Sequence, residues 1–169
     1  MALKESLSEV EKRQSEGLAG VVDALIEQAA SLLKSPISYF ALMNKDNSVL
    51  TMIGWSKTVM ANCALIDKPI VYPIEKTGLW GDCVREKRPV VTNDYKALVK
   101  PTKKGYPSGH VDIKRHVNVC MMHEGKIVGV LGVGNKASDY DDADVKVLQD
   151  FVNGCQKYLP ADEVEAIVG

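Results

Sequence analysis

Net charge is nearly absent from this chain of 169 residues: 21 Lys and Arg stand against 22 Asp and Glu, for a formal charge of -1. That balance gives no global attraction to nucleic acid or to an anionic membrane, so any electrostatic specialisation has to be local. Long apolar runs are missing as well. None reaches the roughly 20 residues a membrane-spanning helix needs, and residues 1–17 carry charges where a signal peptide has its apolar centre. These absences predict a cytoplasmic protein with neither nucleic acid nor membrane among its partners. The cysteines Cys63, Cys83, Cys120 and Cys155 are widely scattered and lack the C-x-x-C spacing, which argues against a zinc site and against a secreted disulfide framework. They read as buried thiols. Gly-x-Ser-x-Gly, His-Glu-x-x-His and the phosphate-loop pattern are all missing, as is any internal repeat, so the common hydrolase, metalloprotease and nucleotide-loop chemistries have no foothold.

What is present suits one globular domain, with 46% apolar and 25% charged residues in a length able to bury a core. From Leu3, the positions Leu7, Val10, Leu18, Val21, Leu25, Ala29 and Leu32 recur at intervals typical of an amphipathic helix over residues 1–34, with a break expected near Gly17 or Gly20. So narrow a stripe predicts pairing with a second copy in a homodimer, the plain alternative being a frayed extension. Pro36 ends the helix. Ile37–Met43 and Val49–Trp55 then read as a hairpin. Ser56 is placed to cap a short helix through Cys63, Pro69–Ile74 is extended, Thr77 is placed to cap a helix through Glu86, and Pro89 opens the strand Val90-Val91-Thr92. Arg115–His123 and Lys126–Gly134 form a second hairpin around Glu124-Gly125. Asp141 is placed to cap a helix carrying Val145, Leu148, Val152, Cys155 and Leu159, and residues 160–169 look like a linker.

Between Thr92 and Arg115 lies a connection too long for an ordinary strand link, the usual sign of a lid or binding loop. From Asp94 to Arg115 it holds Lys96, Lys100, Lys103, Lys104, Lys114 and Arg115 against Asp94 and Asp112. Such a local positive excess suits an anionic ligand, although lysines also simply keep an exposed loop soluble. Trp80, Tyr95 and Tyr106 could stack on a planar molecule while Asn93, Asp94 and His110 orient it. The plainer roles are core packing for Trp80 and a capped turn for Asp94. His110, His116 and His123 raise haem or metal ligation, but their spacing and strand positions favour solvent-facing or capping roles.

The segment Asn135-Lys136, three residues, Tyr140, three residues, Asp144 resembles the signature of GAF domains, with Tyr in place of Phe and Val145 in place of the final Glu. The resemblance covers roughly residues 35–159. It implies an α+β fold with a mostly antiparallel sheet of five or six strands, N- and C-terminal helices on one face and the long lid on the other. It also implies a structural Lys136–Asp144 salt bridge. Leu79-Trp80-Gly81, Asn93-Asp94-Tyr95 and residues 103–110, reading KKGYPSGH, resemble a subgroup found in bacterial and archaeal signalling proteins. The expectation is a non-catalytic sensory domain that binds a small planar, anionic ligand under the 94–115 lid, with a cyclic nucleotide, a tetrapyrrole or a metabolite as the classes open. It would signal through its terminal helices to an output domain in the same chain or in trans. A ligand-free dimerisation scaffold is the alternative. A thiol-based reductase resembling the free methionine-sulfoxide reductases, using Cys83 and Cys120, is a weaker one.

Overall fold

The computed structural model describes residues 2–58, 71–106 and 110–169. Cys63 with most of its expected helix, and residues 107–109 of the lid, lie outside the described residues. Strands β1 (Ile37–Met43), β2 (Val49–Trp55), β3 (Val71–Pro73), β4 (Val90–Thr92), β5 (His116–His123) and β6 (Lys126–Gly134) form a single sheet in the order β3-β2-β1-β6-β5-β4. All neighbours are antiparallel. The tight β5–β6 turn needs left-handed backbone at both of its residues, Glu124 (φ 50°) and Gly125 (φ 76°), which matches the twist of the flanking strands.

Strand alternation divides the core into two. Phe40 and Leu42 of β1, Val117, Val119 and Met121 of β5, and Leu131 and Val133 of β6 meet the helix layer. Tyr39, Ala41, Met43, Cys120 and Val130 point the other way, toward the lid. Helices α1 (Leu3–Glu11), α2 (Gly17–Leu32) and α4 (Asp142–Cys155) make up the first layer. Helix α3 (Asp82–Glu86) packs on the second face.

The N-terminal segment is broken where Gly17 takes φ 75° after the 3-10 turn Gln14–Glu16, a conformation glycine reaches without strain. The break lets α1 pack against α2 and α4 of its own chain. Val10 is fully buried, and Leu3 and Leu7 rest on the same core, so the stripe that predicted pairing with a second copy is covered internally. Residues 160–169 also differ from expectation. Helix α5 (Ala161–Val168) docks on the body, where Glu163 accepts a hydrogen bond from the Leu18 amide at 3.1 Å and Lys45 pairs with Glu165 at 2.6 Å. An acid at the start of α2 is favoured by the partial positive charge of the helix terminus. Thr77 caps no helix: its hydroxyl donates to the Ile74 carbonyl, and the helical turn begins at Leu79. The Ser56 hydroxyl donates to the Pro36 carbonyl and accepts from the Ser38 amide, and the helix it was expected to cap lies mostly outside the described residues.

Asp141 caps α4 by accepting from the Asp144 amide at 2.9 Å, and Asp144 accepts in return from the Asp141 amide at 3.0 Å, a reciprocal capping box. The same Asp144 carboxylate meets Lys136 at 2.7 Å, with side chains only 14% and 20% exposed. Removing one partner of so sheltered a pair strands the other. Lys136→Met is expected to cost about 2 kcal/mol and to lower the melting temperature by roughly 4–8 °C; urea and thermal unfolding read both, and an unchanged midpoint would mean the pair contributes nothing.

Candidate functional site

The 93–115 connection is folded onto the lid face by a buried carboxylate. Asp82 opens α3 and is 1% exposed, yet it meets Arg85 at 2.6 Å and Lys100 at 2.7 Å and accepts from the Thr102 hydroxyl at 2.8 Å. Burial works to raise the pKa of this acid, but the hydrogen bonds from Lys100, Arg85 and Thr102 prevail and hold it below the ordinary range. Lys100 also pairs with Glu86 at 2.8 Å. Arg85 donates to the carbonyls of Ile74 and Gly78, so one cluster ties α3, the segment before it and the middle of the lid.

Further along, Asp94 accepts from the Ala97 amide at 3.0 Å and so closes a loop turn. Lys103 places its ammonium among the carbonyls of Tyr95 (2.6 Å), Leu98 (3.0 Å) and Lys96 (3.4 Å), 4.5 Å above the Tyr95 ring. Lys104 donates to the Glu75 carbonyl. Asn93 donates to the Tyr140 carbonyl at 3.0 Å and accepts from the Tyr140 amide at 2.7 Å, which fixes the end of β4 to the approach of α4. Asn135, at φ 63°, accepts from the Lys114 amide and donates to the Asp112 carbonyl, holding the far end of the lid.

These anchors leave a cleft of about 880 Å³ lined by Asn93, Tyr95, Tyr106, Asp112, Arg115 and Asp139, among others. Tyr95 and Tyr106 lie 5.6 Å apart at 32°, and His110 stacks on Tyr106 at 5.0 Å while its Nδ1 meets the Val111 carbonyl. Arg115 donates to the Lys136 carbonyl at 2.7 Å and faces Asp139 at 3.5 Å. Of the residues expected to bind, Asn93, Asp94, Tyr95, Lys103, Tyr106 and Arg115 line this cleft. Trp80, Lys104 and His110 are not among its lining. Trp80 sits deeper on the lid face, edge-on to Tyr39 and Tyr72 at 5.9 and 5.3 Å. The positive excess is also smaller than the sequence count, because Asp82 and Glu86 take up Lys100 while Asp139 enters from outside the loop.

A polar row escaped the sequence reading. Tyr39 crosses Gly132, where an added Cβ would lie 2.0 Å from its ring, and its hydroxyl hydrogen-bonds the Asn118 side-chain oxygen. Asn118 donates in turn to His116 Nδ1 at 2.9 Å. Nε2 of His116 is therefore the protonated nitrogen, and it is buried without a partner among the described residues. Period-two spacing places 116, 118 and 120 on one face, but only the fold shows that the Tyr39 ring reaches them. His123, by contrast, is half exposed, 4.0 Å from Glu124. Among the described residues no His, Cys, Asp and Glu group could hold a metal ion, and no helix is long and apolar enough to cross a membrane.

A sheet of six antiparallel strands with helices on one face and a lid over the other defines the GAF architecture, and sequence comparison agrees. The family model described as GAF domain matches residues 15–157; the chain belongs to this family. It is 38% identical over 161 residues to a methyl sulfide methyltransferase-associated sensor of Methanosarcina acetivorans, a match covering 95% of this chain and 16% of that much longer relative. Among solved structures, it resembles the GAF domain of an Acinetobacter phosphoenolpyruvate-protein phosphotransferase with a TM-score of 0.72 at 16% identity, covering 98% of this chain and 96% of the other. It also resembles the free methionine-R-sulfoxide reductase of Neisseria meningitidis, with a TM-score of 0.68 at 15% identity, covering 99% of this chain and 92% of the other. Identities that low carry the fold alone. Together with the sensor relative, the family match makes this a sensory, regulatory type of domain.

Desolvation pushes the His116 imidazole down to about 4. The folded protein therefore binds this proton more weakly than the unfolded chain, whose histidine titrates near 6.5, and stability falls as pH drops through the window between those values. The loss is expected to reach about 3 kcal/mol at the acid end. His116→Gln should flatten this part of the profile in urea titrations run at about pH 7 and about pH 4.5; an unaltered slope would assign the acid sensitivity to other groups.

Proposed function

We propose that this domain is a non-catalytic sensor that takes a small, planar, anionic molecule in the cleft between the 94–115 lid and the sheet. The cleft itself carries the reading: about 880 Å³ of space with Tyr95 and Tyr106 presenting ring faces and Arg115 presenting charge. That size falls in the range of small-molecule sites, and aromatic walls with a few fixed polar groups are their usual lining. Cyclic nucleotides, tetrapyrroles and aromatic carboxylate metabolites all meet the description. Asn93, Asp94 and Lys103 shape the walls, and His110 and Lys104 sit at the lid's outer part, where closure over a ligand could recruit them. Trp80 would serve as the packed floor beside the site.

Signalling would follow from any difference in ligand affinity between open and closed lids. Lid movement reaches the helix layer through Asn93 and Tyr140, and from there α4 and its neighbours pass it to an output region in the same chain or in trans. A homodimer belongs to this reading, with the outer helix surfaces as the contact in place of the covered stripe of α1. The competing reading, a ligand-free scaffold, draws on the dense packing of Trp80 with Tyr39 and Tyr72.

A thermal-shift screen with cyclic nucleotides, haem, biliverdin and aromatic carboxylates separates the two. At least one compound is expected to raise the melting temperature; Arg115→Gln should weaken its binding by at least about tenfold, since a charge-assisted contact contributes roughly 1.5–3 kcal/mol, and Tyr106→Ala by up to about tenfold through the lost ring contact, worth roughly 0.5–1.5 kcal/mol. Failure of every compound would favour the scaffold. Light scattering that finds only monomer would remove the dimer.

A further inference from the structure

Away from the cleft, two thiols share one packed cluster in the lid-face core. Cys83 on α3 is wholly buried and Cys120 on β5 is 7% exposed, and both belong to one cluster of packed side chains with Tyr39 and Trp80 against it. Helix α3 packs directly on β5 and β6. The Cys83 thiol also donates weakly to the Trp80 carbonyl at 3.9 Å. Its proton is held well above the usual thiol range, first by interaction with the Cys120 side chain and then by burial. Both sulfurs lie close enough to Tyr39 to reinforce the burial that raises its hydroxyl. The third described cysteine, Cys155, belongs to the helix-layer core on the other face of the sheet.

We infer that Cys83 and Cys120 form an oxidisable dithiol, a covalent modification site whose oxidant is a peroxide and whose product is an intrachain disulfide joining α3 to β5. Cys120, the more accessible of the two, gives up its proton to solvent and attacks one oxygen of hydrogen peroxide. The O–O bond breaks, leaving a sulfenic acid on Cys120, and the departing hydroxide takes up a proton to become water. The Cys83 sulfur then attacks the sulfenic sulfur, the S–O bond breaks, and the thiol proton of Cys83 leaves with that oxygen as a second water. Two thiols are oxidised and one peroxide is reduced to two waters.

The position gives this bond a consequence. Cys83 adjoins Asp82, the carboxylate that holds Lys100 and Thr102 of the lid. A disulfide imposes a short fixed span between its Cα atoms, so forming it resets α3 and with it the lid anchor. The oxidation state of the pair would then set the lid whatever the cleft holds, which makes this site separate from ligand binding.

The test uses the full chain, reduced and then treated with hydrogen peroxide, followed by alkylation and non-reducing peptide mapping. A linked Cys83–Cys120 peptide that dithiothreitol reverses is expected, together with a severalfold change in amide exchange across residues 94–106. Separate alkylation of both cysteines, or recovery of either one only as sulfinic acid, would overturn the dithiol. A linked peptide without any change in exchange would overturn its coupling to the lid. Cys120→Ser and Cys83→Ser are each expected to abolish the peroxide-dependent exchange change; its persistence in either variant would overturn the assignment. Mapping of the unaltered protein decides the linkage even where a variant does not fold.

Discussion

Tyr140 is the residue on which the two halves of the molecule depend. It is nearly fully buried, and each polar atom it carries is committed. Its hydroxyl shares a 2.7 Å hydrogen bond with Ser35, at the end of the N-terminal helical segment, and accepts from the Lys136 amide at 3.1 Å. Its own amide and carbonyl are both engaged by the Asn93 side chain. Four stretches of chain therefore converge on one residue: the exits of α2, β4 and β6 and the entry to α4. Buried polar groups linked in this way specify one arrangement, because a partial rearrangement strands donors and acceptors without water.

That junction accounts for where the cleft lies. Asn93, held by Tyr140, directs the chain out of β4 into the lid, and Asn135 receives the returning chain by bonding the Lys114 amide and the Asp112 carbonyl. The lid is thus fixed at both ends by asparagines that border the same junction, and in the middle by Asp82. Tyr106, 36% exposed, has an aromatic face for which the described protein provides only Tyr95 and His110 as ring neighbours.

The two faces of the sheet answer different demands. On the helix side, aliphatic side chains pack with Leu25, Leu148 and Phe151, giving an apolar layer. Opposite it, Tyr39, Asn118 and His116 form a hydrogen-bonded row ending in a nitrogen that has no partner among the described residues, on the same face as a pair of thiols. A buried donor without a partner costs free energy, and that cost falls on the face of the sheet that the 93–115 connection covers.

Sequence alone determined what depends on neighbours along the chain. The limits of β1 and β2, the Glu124-Gly125 turn and the Asp141 cap follow from alternation, turn chemistry and helical spacing, each legible over a span of ten residues or so, while the Lys136 and Asp144 pair is implied by the resemblance of residues 135–144 to the GAF signature. Tertiary structure alone decided what depends on distant segments. The stripe on α1 looked the same in one dimension whether it faced a second copy or, as found, its own α2 and α4. A tail rich in acids read as linker until Glu163 met the start of α2. Six positive charges along the lid shrank in effect once Asp82 and Asp139, from outside it, entered the count. Trp80 left the expected lining for the same reason: whether an aromatic ring walls a cleft or fills it is set by the rings that meet it in space, here Tyr39 and Tyr72, which lie far from it or on another strand.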